Sequence, residues 1–196
     1  GLNDQEISSQ GGAFTLTYEF DFGTLTAITG YETLDMFSRG DIDGGFGAVF
    51  APPSGPGFIP FPSESADGLP ELDQFTQEIR LASDTGGAWD WLVGFFYFDE
   101  SLQADTFSYT TLAPGNPVEG YAFQTQDASS WAGFASLDFR PTDRWNLKGG
   151  VRYTTDQKDF AAERPDPTFQ LPTLRPIQVS TDADLVTWDF SATYKA

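Results

Sequence analysis

The chain has no cysteine, no histidine and one methionine, and it sets only 10 lysines and arginines against 29 aspartates and glutamates. The missing cysteines and histidines exclude disulfides, Cys or His metal sites, a cysteine nucleophile and a histidine base. The shortage of bases, with a net charge of -19, excludes a nucleic-acid partner, because binding phosphates requires a basic patch. No stretch approaches the roughly 18 apolar residues of a spanning helix, so any passage through a membrane has to use strands. No signal-peptide pattern opens the chain at Gly1, and it is expected to be an excised or processed piece. Its 196 residues suit one ordinary domain, and an apolar fraction of 39% with 19 Phe and 5 Trp is too high for a disordered chain.

Short and long connections alternate along the sequence. Turn-forming segments at 21–23, 84–88 and 141–144 separate three long acidic arms at about 37–73, 99–127 and 156–184. All the added length therefore falls on one side of a sheet, as in a membrane β-barrel. More than half of the acids lie in these arms. Acidic loops of this kind keep an exposed surface solvated, which is the first account of them.

Around the short turns, apolar residues recur at every second position. Phe14, Leu16, Tyr18 and Phe20 alternate with threonines and Glu19, and Leu25, Ala27, Thr29 and Tyr31 follow the first turn. Phe75, Gln77, Ile79 and Leu81 oppose Glu78 and Arg80. Trp89, Trp91, Val93, Phe95 and Tyr97 share a face, although Leu92, Phe96 and Phe98 make that strand apolar on its other side too. Trp131 to Phe139, Trp145 to Tyr153 and Val186 to Tyr194 complete the set. Period two predicts seven strands with a single oily face.

A soluble β-sandwich would alternate in the same way, its oily faces meeting in a dry core. Two features favour lipid. Aromatic residues gather at the level of the short turns, with Phe20, Trp89, Trp91, Phe139 and Trp145 as candidate membrane-interface residues. On the opposite face Glu19, Glu78, Arg80, Lys148, Arg152 and Asp189 are candidate lumen-facing charges. The expected fold class is all-β: an antiparallel up-and-down transmembrane β-barrel segment of about seven strands, with short turns on one side and long loops on the other. The expected partner of the oily face is outer-membrane lipid. A porin-like passive barrel and a soluble carbohydrate-binding sandwich stand as alternatives.

Five segments carry a family resemblance: ITGYE at 28–32, QEIRLAS at 77–83, WLVGFFYF at 91–98, WAGFASLDFRPTDRW at 131–145 and GGVRYT at 149–154. In order and spacing they resemble successive barrel strands of TonB-dependent outer-membrane receptors. The resemblance implies that residues 1–196 are part of such a receptor's β-barrel domain, with the plug domain and remaining strands absent, since large plugged barrels have about 22 strands. It further implies active import of a scarce solute, a metal chelate such as a siderophore or a glycan. The location implied is the outer membrane of a Gram-negative bacterium, with a plug domain and the TonB complex as partners.

Chemistry of other kinds is thinly represented. Asp41-Ile42-Asp43-Gly44 opens like a calcium loop, but Gly45 and Phe46 occupy the next ligand and glycine positions, so a turn is expected. Asp99 and Glu100 are adjacent on a strand and point to opposite faces, which prevents joint acid and base work. Glycine-rich stretches lack the Lys and Ser or Thr of a phosphate loop. No cofactor, metal site or enzymatic activity is expected. Ligand contact is expected from the first arm, where Phe46, Phe50, Phe58 and Phe61 sit among Gly and Pro. The acidic surroundings favour neutral, cationic or metal-complexed solutes over bare anions.

Overall fold

The computed structural model describes residues 3–43, 49–50, 57–58, 63–83, 86–109, 112–164 and 174–195. Seven long strands, β1 (Asp4–Phe20), β2 (Gly23–Asp41), β5 (Glu64–Ser83), β6 (Trp89–Tyr109), β7 (Val118–Thr142), β8 (Trp145–Arg164) and β9 (Leu174–Tyr194), form one sheet in the order β1-β2-β5-β6-β7-β8-β9. Every pairing is antiparallel between neighbours, an up-and-down meander. Two-residue strands β3 (Val49–Phe50) and β4 (Gly57–Phe58) pair by themselves within the first arm. The sheet is open among the described residues, with β1 and β9 as edges.

The alternating faces line up across all six pairings. Residues directly opposite share a face, so Tyr18, Leu25, Leu81, Val93, Ala135, Val151 and Trp188 form one continuous row. Leu16, Ala27, Ile79, Phe95, Gly133, Tyr153 and Val186 form the next. On β6 the apolar stretch of this face runs from Trp89 to Tyr97, on β7 from Trp131 to Phe139, on β8 from Trp145 to Tyr153 and on β9 from Val186 to Tyr194. Each covers nine residues, the length of a tilted spanning strand. Beyond it the same face turns polar at Asp99, Ser129, Thr155 and Asp184.

Aromatic rings close the band at both ends. At the short-turn end Phe20 stacks on Phe22, Trp89 stacks on Phe139 with centroids 3.8 Å apart, and Trp145 leans on Tyr194. At the other end Tyr31, Phe75, Tyr97, Trp131 and Tyr153 form a second girdle, with Phe75 against Tyr97 and Trp131 edge-on to Tyr153. The hydroxyls of Tyr31 and Tyr97 donate to Asp73 (2.6 Å) and Asp99 (3.1 Å), just past the apolar limit. Ring in oil and hydroxyl in water is the arrangement that a headgroup boundary selects. Inside the band the polar Gln77 is satisfied locally: it accepts from Thr29 Oγ1 (2.6 Å) and donates to the Ile28 and Glu78 carbonyls, as hydrocarbon demands.

Among the described residues no second layer covers this face. Leu16, Val151 and Phe190 are 51%, 50% and 67% exposed, and the buried apolar side chains among the described residues are three alanines, Ala66, Ala128 and Ala132. A sandwich needs a second sheet to enclose those groups, so that alternative is set aside.

The long arms differ from the expected loops. Most of their length is strand, extending β2 to Asp41, β6 to Tyr109 and β8 to Arg164, well past the second girdle. Both faces meet water there, so nothing imposes an oily alternation, yet the backbone ladder continues. Irregularities interrupt the β2–β5 and β5–β6 registers in the 68–72 stretch of β5, where Pro70 has no N–H to donate.

Candidate functional site

All six expected lumen charges lie on the face opposite the apolar band. Glu19 and Asp189 fall in one row with Leu92, Ser136 and Gly150. Arg80 and Arg152 share the next with Gly94 and Phe134, and Glu78 shares another with Phe96 and Ala132. Arg80 pairs with Glu78 two residues away at 3.3 Å, a partly exposed contact worth little to stability.

Three clusters organise this wall and its rim. At mid-height the Arg152 guanidinium lies 5.6 Å from the ring centres of both Phe96 and Phe134, and its Nε donates to Thr154 (3.1 Å). The ring of Phe134 occupies the space over Gly94, where a Cβ would meet Cζ at 2.3 Å. Phe96, Phe98 and Phe134 thus make an apolar island on an otherwise polar face, and Ala132 beneath it is fully buried.

Near the short turns, Lys148 joins groups that sequence alone did not single out. Arg140 donates to the Asp90 carboxylate and to the Gly87 carbonyl (3.1 Å), and lies 3.6 Å from Asp138. Lys148 approaches Asp138 at 4.0 Å and Asn146 Nδ2 donates to it (3.4 Å). Two buried acceptors, Asp138 Oδ1 and Asn146 Oδ1, have no donor among the described residues. Asp138 and Arg140 are neighbours two apart on β7, and the registers Asp90↔Asp138 and Asp138↔Lys148 bring in the other two charges.

Beyond the band, Glu64 is 3% exposed. Its Oε2 accepts from Arg39 Nη2 (2.6 Å) and Nε (3.1 Å), and its Oε1 from Asn116 Nδ2 (3.3 Å). The Arg39 guanidinium stacks 3.9 Å above the Tyr109 ring. Asn116, at φ 46°, and Gly115, at φ 83°, turn the β6–β7 connection back so that the amide reaches Glu64. That left-handed pair favours Gly and Asn.

Of the expected ligand contacts, Phe46 and Phe61 lie outside the described residues. Phe50 and Phe58 belong to the β3–β4 hairpin, paired as Phe50↔Gly57 and Val49↔Phe58. Asp41 and Asp43 make a turn, the Asp43 N–H donating to Asp41 Oδ1 (3.1 Å) and the Ser63 N–H to Asp43 Oδ2 (3.3 Å). Asp99 and Glu100 take opposite faces, as the alternation predicts. Of the expected interface residues, Phe20, Trp89, Phe139 and Trp145 form the ring at the short-turn end of the band, with Trp91 one row further in. The upper girdle has no signature in any one strand, because each contributes a single ring, and these align only through the cross-strand register.

A nine-residue oily band with rings at both rims, on an open meander continuing far past it, describes a segment of a large barrel wall. The sequence matches the family described as TonB dependent receptor-like, beta-barrel, over residues 1–196. The chain belongs to the TonB-dependent receptor β-barrel family. The fold is similar to the crystal structure of the ferric yersiniabactin uptake receptor FyuA from Yersinia pestis, with a TM-score of 0.75 at 16% identity. The match covers 98% of this chain and 26% of that receptor, so the chain spans about a quarter of its neighbour's length. No curated protein matches the sequence. Within the TonB-dependent receptor family, the seven strands described here are barrel wall, and proteins of this family are transporters rather than enzymes.

Proposed function

We propose that these residues form part of the barrel domain of an outer-membrane receptor in a Gram-negative bacterium, importing a scarce solute with energy from TonB. The plug domain and remaining strands lie elsewhere in the full-length protein. The observation that carries this reading is the pairing of a girdled band with a wall whose inner face is unsuited to bulk water. Phe96, Phe98 and Phe134 form an apolar island at mid-height around Arg152, and a folded domain in the lumen would cover those rings. A passive, water-filled porin lumen would leave them wet. Glu19, Glu78, Arg80, Lys148, Arg152 and Asp189 then line the lumen against that plug. Phe46, Phe50, Phe58 and Phe61 contact the solute from the first arm. The solute class is a metal chelate, such as a siderophore, or a glycan; the uptake of ferric yersiniabactin named for the structural neighbour supports the first.

Uptake of labelled ferric chelates and oligosaccharides by cells carrying the full-length receptor, with and without a functional TonB, tests the proposal. Accumulation that requires TonB is the expected result. Entry that is linear in concentration and indifferent to TonB would identify a passive pore instead.

A further inference from the structure

We infer that the outer end of the polar face carries a binding site for the anionic group of an otherwise apolar solute, built around Arg164. The inference rests on the receptor reading for its physiological meaning, though not for its geometry. A cavity of about 360 Å³ lies across β6, β7, β8 and β9, within the size range of small-molecule pockets. Its lining comprises the small residues Gly120, Ala122 and Ala162 as a floor, Ser108 and Ile177 as walls, and Glu163 beside Arg164. At Gly120 a Cβ would come within 2.8 Å of Ser108 Oγ and 3.8 Å of Arg164 Nη2, so glycine is what keeps the floor low beneath the guanidinium.

Arg164 makes no ion pair or hydrogen bond among the described residues, although acids outnumber bases 29 to 10 in this chain. Alternation explains why. Its neighbour Glu163 pairs with Phe123 on the other face. The next described carboxylates on the same face are Asp67 on β5, in the same row three strands and roughly 14 Å away at about 4.8 Å per strand, and Glu100 on β6 and Asp156 on β8, roughly 20 to 27 Å further down at about 3.3 Å per residue. The same face of β8 carries Lys148, Arg152 and Lys158 as well, against Asp156 as its one acid. The acidic arms set the sign of the distant field, whereas the pocket takes its sign from a guanidinium over an apolar floor. Such a site selects a carboxylate or similar oxyanion on a compact apolar body, because the guanidinium fork matches two oxygens and the floor covers carbon.

The test uses the full-length receptor in detergent micelles with benzoate as probe and benzamide as its neutral isostere, binding being followed by saturation-transfer NMR titration. Benzoate is expected to bind at least tenfold more tightly than benzamide, with a preference that shrinks as salt is raised. Arg164→Gln should abolish the preference, Arg164→Lys should retain part of it, and Gly120→Leu should weaken both ligands alike by filling the floor. Among the described residues Arg164 holds no partner whose loss would unfold the strand, and the salt titration of the unaltered protein is informative even if a variant misfolds. Equal affinity for the two probes, or a preference that survives in Arg164→Gln, overturns the site. A benzoate preference without TonB-dependent uptake would keep the site and remove the transport proposal; uptake without the preference would do the reverse.

Discussion

Gly94 and Phe134 show how closely the inner wall is packed at a single position. The phenyl ring lies where any side chain on residue 94 would begin, with three ring carbons within 3.0 Å of a built Cβ, and Arg152 rests against the same ring. Gly94→Ala therefore forces the ring to move. Overpacking of this kind costs about 1–3 kcal/mol, and the displaced ring also loses its contact with the guanidinium. The double variant Gly94→Ala/Phe134→Ala is expected to recover most of the overpacking penalty, because the truncated side chain frees the space. Urea titration of the full-length receptor in bilayers, taken around this two-by-two cycle, checks it: additive losses would show that ring and glycine do not compete for one volume. Arg39 and Glu64 present a different case, since the buried carboxylate depends on the guanidinium to balance its charge and on Asn116 for its other oxygen. That dependence ties the β6–β7 connection to the tip of the β2–β5 pair.

Each strand meets two environments along its length, and that division governs both its energetics and its legibility in sequence. On β8, Val151 faces outward at mid-band while Gln157 faces the same way beyond the second girdle. Arginine at the bilayer midplane of a barrel costs about 2–4 kcal/mol and near the interface about 0–1. Val151→Arg should lower unfolding stability by that larger amount and Gln157→Arg by almost nothing, measured on the full-length receptor refolded into vesicles; equal effects would place both residues in water. The same division explains what could be read from residues alone. Seven strands were visible where one face meets oil, between Trp89 and Tyr97 for example, since only there does hydropathy alternate. The upper parts of β6, β7 and β8 read as loops in the sequence because both faces are wet. Hydrogen bonding alone sustains them, and it leaves no mark in side-chain choice. Parity predicts that the candidate lumen charges fall opposite the apolar band, whereas the Asp138, Arg140 and Lys148 cluster and the Arg164 pocket depend on cross-strand register. A strand's own sequence does not encode that register.

Across the whole sheet the band itself slides. Its far limit is level at Tyr31 and Phe75, one row lower at Tyr97 and Trp131, and another row lower at Tyr153 and Val186. The drift is four residues over five strand steps, or roughly 13 Å along the chain for about 24 Å across, which gives a tilt of about 29°, a little below the usual range for membrane barrels. Seven strands at that tilt occupy about 38 Å of circumference, and closing them alone would give a cylinder roughly 12 Å across from backbone to backbone. Phe96, Phe98, Phe134, Arg80 and Arg152 all point to the inner side, and so narrow a cylinder has no room for them. The sheet therefore needs further strands, pairing with β1 and β9, whose outer edges would otherwise hold unsatisfied backbone groups in hydrocarbon at several kcal/mol each. Refolded alone into phosphatidylcholine vesicles, these 196 residues are expected to aggregate or remain outside the bilayer, with the amides of β1 and β9 exchanging freely. In the full-length receptor the same amides should be protected to the level of β6 and β7. Slow exchange on both edge strands in an inserted monomer of this chain alone would mean that seven strands do close, and the wide, plugged barrel would have to be abandoned.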